Sequence, residues 1–427
     1  MQIVVENLSK SRASARVELT PSEMLPYLAA AATRLSSRTS FPGFRPGKVP
    51  YDVVVKRVGE ASVWEEALKD AVRHSYVKAV KEHNLITVGQ PEIRVEKIAP
   101  GNPIVYTAIA SLLPAVTMPA LESVKTEKHV EQVNEDEVTG TIEQLRKLIA
   151  EEKSADRPAM LGDKVEIDVD VSIDKIAIEG GRSRKHPVVL GDGAFIPGFE
   201  DHVVGMSKGQ TKEFALSFPK QYHAKNLAGK LATFKVTVHS IAERTLPSLD
   251  DAFAKRVARV DTVEKLREQI KKNLIGEHEE KAEREYEAKL IEEVVKRSTF
   301  GEIPDLLIDN ETERMLAEIR HDVEERGMKF TDYLASMKKD EATLKKDLLQ
   351  GAVNRVKSTL VIREIAKKEN ISVSEKEIDD EVRLAVESVN DEKRAEMMKG
   401  EEFRAYVESV LVNRKAIDHL KSKQQHV

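Results

Sequence analysis

Residues 244–427 carry 36 basic and 41 acidic side chains, and their apolar residues recur only in narrow stripes at helical spacing. Val263, Leu266, Ile270, Leu290, Val294 and Val295 follow one another in a long helix opened by Asp261-Thr262-Val263-Glu264. Gly301-Glu302-Ile303-Pro304 breaks it. A second helix carries Leu307, Met315, Leu316 and Ile319 and stops near Gly327. Others are expected at about 341–369, from the capping box Ser374-Glu375-Lys376-Glu377, and from about 401 to 420. No fixed repeat period relates them. Stripes this narrow do not close helices this long into one large globule. They predict extended helices with grooves between them, lined by Leu, Ile and Met, which adapt to many peptides. Ile303, Leu307, Met315, Ile319 and Phe330 are the candidate groove residues. The competing reading is that a stripe at helical spacing is core, with Met315 and Phe330 packed inside.

The first 113 residues are different. They hold 15 basic and 11 acidic residues, a net +4, against 17 and 21 (−4) over 114–243 and −5 over the helical remainder. A mildly basic end on an acidic chain suits an approach to polyanions. A strand at Gln2–Leu8 precedes Ala15, Val17 and Leu19, which alternate with Arg16 and Glu18, and the two predict a hairpin. Thr20-Pro21-Ser22-Glu23 is a helix start: Thr caps, Pro takes the first position and Glu reaches back. Met24, Leu25, Leu28, Ala32 and Leu35 share a face of that helix, and Pro26 is expected to kink it or shift its start. A short helix follows through Val54 and Val58. Ser62-Val63-Trp64-Glu65 reads as a second capping box, opening a helix that buries Leu68, Val72 and Ala79. Trp64 reads as core. Alternating strands at 92–98 and 104–110 complete a small α+β domain.

Between its helices lies Phe41-Pro42-Gly43-Phe44-Arg45-Pro46-Gly47-Lys48-Val49-Pro50. Proline fixes φ and glycine permits positive φ, so this is a shaped turn. One aromatic beside cations at its tip suits a surface with both apolar and phosphate-rich parts; the alternative is a helix connection with Phe44 folded into the core. Gly43-Phe44-Arg45-x-Gly47-Lys48-x-Pro50 resembles the ribosome-docking signature of the trigger factor family of bacterial chaperones. The resemblance implies that Gly43, Phe44, Arg45, Gly47 and Lys48 dock at the exit tunnel. It also implies binding to ribosomal protein and rRNA of the large subunit, and to nascent unfolded polypeptides. Pro46 stands where that family commonly has a basic residue.

Pro114 and Pro119 begin a linker, expected over 114–157, with a helical connector at 131–152 bearing Val138, Ile142, Leu145 and Ile149. A domain at 158–243 opens with a strand through Val165, Ile167, Val169 and Val171. Its key run is Val189-Leu190-Gly191-Asp192-Gly193-Ala194-Phe195-Ile196-Pro197-Gly198-Phe199-Glu200, then Gly205-Met206, Phe218-Pro219, Tyr222, Leu227-Ala228-Gly229-Lys230 and a strand from Phe234 to Val238. Gly191 and Gly193 lack the third glycine of a nucleotide fingerprint. Over its whole length the run resembles the FKBP-type peptidyl-prolyl isomerase domain, a half-barrel of β-sheet with a short helix. The resemblance implies that Phe195, Ile196, Phe199 and Phe234 wall a pocket, with Tyr222 supplying a hydroxyl and the Ile196 N–H orienting the peptide. Phe214 and Phe218 read as core, and His223 as a surface residue. Where the family usually has aromatics, this chain has Val169-Asp170-Val171 and Ile178-Glu179-Gly180-Gly181, which keep the pocket apolar and imply weak turnover.

In the trigger factor resemblance residues 244–427 form the chaperone body. The expectation is thus a multidomain α+β protein of the cytoplasm that shields nascent chains, isomerises X–Pro bonds, and assists folding and export, with roles extending to cell division. A holdase whose isomerase fold only binds peptide, and a free chaperone that never docks, are the rival readings. A homodimer off the ribosome is left open. No cofactor is expected: there is no cysteine, the histidines are scattered, and no P-loop or serine elbow occurs. Asp250-Asp251 reads as the polar end of a linker. The N-terminus lacks a signal-peptide pattern, no run is long enough to span a bilayer, and the tail from Lys421 is expected to be disordered.

Overall fold

The structure, a computed structural model, describes residues 1–9, 11–174, 176–193, 195–222, 227–389 and 391–424. His223 and residues 425–427 lie outside the described residues. The chain divides into two compact units, one of residues 1–128 with 284–427 and one of residues 129–283. Mixed helix and sheet make it a multidomain α+β protein.

The N-terminal segment runs β1 (Gln2–Leu8), β2 (Arg12–Leu19), α1 (Pro21–Arg38), α2 (Tyr51–Val58), α3 (Glu60–Glu82), β3 (Thr87–Lys97) and β4 (Ile104–Leu112). The strands form an antiparallel sheet in the order β1-β2-β4-β3. Ala13, Ala15, Val17 and Leu19 of β2 point inward, and α1 and α3 cover that face with Met24, Leu28, Ala32, Trp64 and Ala67. Thr20 and Glu23 form the expected capping box. Tyr106 on β4 is buried, which pushes its phenol up to about 12, and its hydroxyl lies 2.7 Å from Ser75 Oγ.

Three expectations change here. Leu25 is 63% exposed, because the face packed on the sheet falls on Met24, Leu28, Ala31 and Ala32. Of the two outcomes expected of Pro26, a shifted start does not occur, since α1 runs from Pro21 to Arg38 with Pro26 inside it. Ser62 is not a cap. Gly59, at φ +85°, ends α2 and begins α3 at once, so Ser62 falls inside the helix. Gly89 interrupts the β3 register at φ +69°, a left-handed conformation that favours glycine, and a Cβ there would press on Leu306 Cδ2 at 2.6 Å.

After β5 (Val116–Thr117) the second unit contains α4 (Glu135–Leu148), β6 (Glu151–Ser154), β7 (Lys164–Ile173), β8 (Ile176–Val189), α5 (Phe199–Val203), β9 (Thr211–Ser217), β10 (Leu231–Thr245) and α6 (Asp251–Ala258). The long α7 (Val263–Arg297) starts there. β10 is the organising strand, pairing antiparallel with β6, β7 and β9, and β7 pairs with β8. The helical connector is shorter than expected. Asn134 caps it by accepting from the Glu137 N–H at 2.9 Å, and by Glu151 the chain has become β6, a strand of the sheet. Asp250 and Asp251 close the segment between β10 and α6 as a helix start: Asp250 caps α6 by accepting from the Phe253 N–H at 2.9 Å, and Asp251 accepts from Val263 N–H at 3.0 Å. Val138 and Ile142 of α4 bury against Phe253 of α6 and Leu266 and Ile270 of α7. Asp163, almost wholly buried, is gripped by Arg157 at 2.6 and 3.1 Å and by the Met160 N–H at 2.8 Å. Burial pushes its carboxyl up, but these donors outweigh it and hold the group below the usual range.

The first unit resumes with β11 (Thr299–Phe300), α8 (Asp305–Glu325), α9 (Phe330–Ser336), α10 (Glu341–Lys368), α11 (Glu375–Glu387), α12 (Glu392–Met397) and α13 (Glu401–Ser422). β11 pairs with β5. These helices share no single core. Leu290, Val294, Val361, Ile365, Ala416 and Leu420 enclose Leu121 and Val124; Leu316, Phe330 and Leu344 make a second cluster; Ile378, Val382 and Val407 make a third.

Candidate functional site

The cavity in the second unit is assembled from its sheet outward. Val169 and Val171 are two apart on β7, so both face the same side. Ile178, Gly180, Gly181 and Ser183 follow on β8, and Phe234 on β10 closes the floor. The segment before α5 supplies Phe195, Ile196 and Pro197. Gly198 adopts the left-handed conformation (φ +86°), which lets the Phe199 N–H bond the Ile196 carbonyl at 3.0 Å and start α5. Glu200 on that helix accepts from the Gly191 N–H at 2.6 Å and steadies the preceding loop. On the other side Phe218, Pro219, Tyr222 and Leu227 come from a loop held closed by Phe218 N–H to Lys230 carbonyl at 2.9 Å.

The result is a cavity of about 690 Å³ in which no described lining residue is charged. Its aromatics brace one another. Phe195 stacks on Phe199 with centroids 4.2 Å apart, Phe199 meets Phe234 edge-on at 5.6 Å, and Phe218 lies 4.7 Å from Tyr222. Among the described residues the Ile196 N–H has no hydrogen-bond partner.

Of the five pocket residues expected from sequence, Phe195, Ile196, Tyr222 and Phe234 line the cavity together. Phe199 does not. It is fully buried behind Phe195, because as the first residue of α5 it points under the sheet. Phe218 exchanges roles with it: read as core, it forms wall as well as core. Val169 and Ile178 line the cavity, and Phe214 is core, within 5.9 Å of Phe234. Pro197, Leu227 and Ser183 were missed. Pro197 lay within the quoted run, and Leu227 could have been found from its place opposite Phe218 in the loop.

The 41–50 segment is a second candidate site. Phe44 N–H bonds the Phe41 carbonyl at 3.1 Å, and Lys48 N–H bonds the Arg45 carbonyl at 3.0 Å. Each turn has Pro-Gly at its centre, with Gly43 at φ +85° and Gly47 at φ +75°, the signature of a type II turn. Pro46 is therefore a turn residue of the second. Phe41 is buried beneath the Arg57 guanidinium, 5.3 Å from its ring, while Phe44 is 42% exposed and Arg45 and Lys48 are exposed.

The groove candidates fare unevenly. Ile303, Leu307, Met315 and Ile319 are half-buried. Phe330 is 8% exposed, packed with Leu316 and Leu344 under the Arg320 guanidinium at 4.7 Å. It is core, since α9, which the sequence reading did not foresee, folds it inward. Met315 has its thioether against Gly351 on α10. Among the described residues no group of three or more His, Cys, Asp or Glu is placed to hold a metal, and no helix is long and apolar enough to cross a membrane.

A sheet with one short helix around an apolar, aromatic-braced cavity defines an FKBP-type domain, and the family model of the FKBP-type peptidyl-prolyl cis-trans isomerase matches residues 155–239. On either side, the models of the bacterial trigger factor protein and of its C-terminus match residues 1–145 and 262–422. Trigger factor of Geobacillus sp. (strain WCH70) is 35% identical over 395 residues, covering 91% of each chain, and that of Bacillus subtilis (strain 168) is 36% identical over 362 residues, covering 84% of each. A solved structure concerned with promiscuous substrate recognition by the trigger factor chaperone covers 98% of this chain and 99% of its own at 23% identity, with a TM-score of 0.46. The chain belongs to the trigger factor family of chaperones and carries an FKBP-type domain.

Proposed function

We propose that this chain is a ribosome-associated chaperone of the cytoplasm whose middle domain catalyses cis–trans isomerisation of X–Pro bonds in nascent polypeptides. The observation that carries the catalytic part is the apolar cavity around Phe195, Ile196, Tyr222 and Phe234. Rotation about X–Pro meets a barrier of about 18–20 kcal/mol that arises from amide resonance. In the twisted transition state that resonance, and part of the carbonyl's charge, is lost. An apolar wall therefore accommodates the twisted amide better than the planar one, which is differential binding of the transition state. In this reading the Ile196 N–H and the Tyr222 hydroxyl hold the peptide while its bond turns. No nucleophile is required.

In this reading residues 1–113 dock at the exit tunnel through Phe44, Arg45 and Lys48, residues 114–157 link, residues 158–243 isomerise, and residues 244–427 shield the client. Exposure of Phe44 and Arg45 above two rigid turns supports docking against ribosomal protein and rRNA. Half-buried Ile303, Leu307, Met315 and Ile319 support a client-facing surface.

A non-enzymatic holdase is the second reading, favoured by Val169 and Ile178 in the wall where the family usually has aromatics. The two are separated by following isomerisation of a short X–Pro peptide, which takes tens of seconds unaided, with the full chain and with Tyr222→Phe and Phe234→Ala. Acceleration that falls at least tenfold in Phe234→Ala supports the enzyme. Peptide binding with no acceleration by the unaltered chain supports the holdase.

A further inference from the structure

The cations of the N-terminal segment are of two kinds. Arg16, Arg34, Lys69, Arg73, Lys78 and Arg94 each pair with a carboxylate. Arg12, Arg38, Arg45, Lys48, Lys56, Arg57, Lys81 and Lys97 have no carboxylate at ion-pair distance among the described residues, and the five from Arg38 to Arg57 are consecutive cations along the chain. Asp52 is the one acid between Arg38 and Glu60. It precedes Lys56 by four residues on α2, the spacing at which a helix forms ion pairs, yet the two do not pair. Basic residues in a last helical turn offset the macrodipole, which accounts for two cations on α2. It accounts equally for Arg38 in the last turn of α1, but not for Arg45 and Lys48 in the loop.

Lys56 and Arg57 share a depression of about 240 Å³ with Phe41, Pro42, Phe44 and Val53. The exposed aromatic of the docking loop and the two α2 cations therefore border one concave patch. Arg57 is fixed by its stacking on Phe41, so its planar donor fork is held in place before any ligand arrives. Five cations uncompensated by acid match a polyanion of uniform sign better than a protein surface of mixed charge.

We propose that Lys56 and Arg57 extend the docking surface from the loop onto α2, where they bind backbone phosphates of ribosomal RNA beside Phe44. The proposal rests on the ribosome-docking reading above. Sequence-independent phosphate contacts make binding steeply salt-dependent, with a slope of roughly 0.7–0.9 per phosphate neutralised.

The test is co-sedimentation of the full chain with vacant large ribosomal subunits between about 50 and 200 mM salt. Lys56→Gln with Arg57→Gln replaces two exposed side chains, and thermal unfolding checks that the fold is kept. The expected result is affinity lowered about tenfold, with the slope of log affinity against log salt reduced by roughly 1 to 2. The charge-keeping pair Lys56→Arg with Arg57→Lys restores the slope. Unchanged affinity and slope in the Gln variant, while Phe44→Ala with Arg45→Ala abolishes binding, overturns the α2 contact and leaves the docking reading standing. Failure of the unaltered chain to co-sediment overturns both. A reduced slope with an identical hydroxyl-radical footprint on the RNA places the cations against protein and overturns the phosphate assignment.

Discussion

The FKBP-type domain and the helices from α8 onward bury their apolar residues in opposite ways. Around β7 and β10 one cluster gathers seventeen buried residues, four of them Phe, so that each aromatic is braced by another. Among the C-terminal helices two of the clusters have three buried residues each, and the helices between are latched by exposed pairs such as Arg355–Glu318, Lys345–Glu313 and Arg404–Asp379. A dense core holds one cavity in a fixed shape. Small cores with solvated latches fix helices but leave the surfaces between them adjustable, since exposed ion pairs contribute little each. One architecture suits a single reaction, the other many shapes of client.

The sharpest way to break that contrast is Phe199→Ala. Removing the ring behind Phe195 is expected to cost about 3–5 kcal/mol, read as a lowered unfolding temperature, and to abolish isomerisation although Phe199 does not line the cavity. Retained activity would mean that the cavity does not depend on its bracing. Phe330→Ala should cost about 3 kcal/mol locally. Hydrogen exchange ought to rise across α9 and the adjoining ends of α8 and α10, with the isomerase rate unchanged; uniform loss of protection throughout the chain would show a cooperativity that three-residue clusters should not have. Arg157→Ala strands the buried Asp163 carboxylate and is expected to destabilise by about 2 kcal/mol at neutral pH. Its penalty should shrink in acid, because the folded-state pKa is depressed and protonation removes the charge that Arg157 balances.

The smallest effect concerns the α11–α13 latch. Lys415 Nζ, 2.7 Å away, and the Ser374 cap bring the Glu377 carboxyl down to about 2 from its ordinary 4.5. A depressed folded value stabilises fully above the unfolded value and is lost as pH falls through the folded one. Exchange protection of α11 is therefore expected to hold at pH 5 and to decline between about 4.5 and about 2. Lys415→Ala should flatten this window, and an unaltered profile would remove the latch from the account.

Much of this was legible because local chemistry and tertiary need agree. Ala15, Val17 and Leu19 alternate and are buried, and the capping boxes at Thr20 and Ser374 form. The run from Val189 to Val238 located the cavity through its long resemblance to the FKBP-type domain. What stayed hidden depends on depth. Periodicity tells which side a residue faces, but not whether Phe199 or Phe218 stands in front, nor that Leu25 lies just off the packed stripe. Ser62-Val63-Trp64-Glu65 has the composition of a cap, yet Gly59 turns the chain earlier. Three of the four residues of β6 are charged and the segment carries no strand signal; only pairing with β10 makes it a strand. Phe330 lies on a stripe that α9 turns inward.

The paired Pro-Gly turns of the docking loop also bear on rates. A segment already held in its turns by proline, positive-φ glycine and two backbone bonds has little chain entropy left to surrender on contact. Encounter then needs no folding step, so its speed is set by diffusion and by attraction between unlike charges. Such a loop should associate quickly and be released by weakening single contacts. If the loop docks at the exit tunnel as proposed, a chaperone that must find a new exit site for each emerging chain gains from a probe that is ready before it arrives.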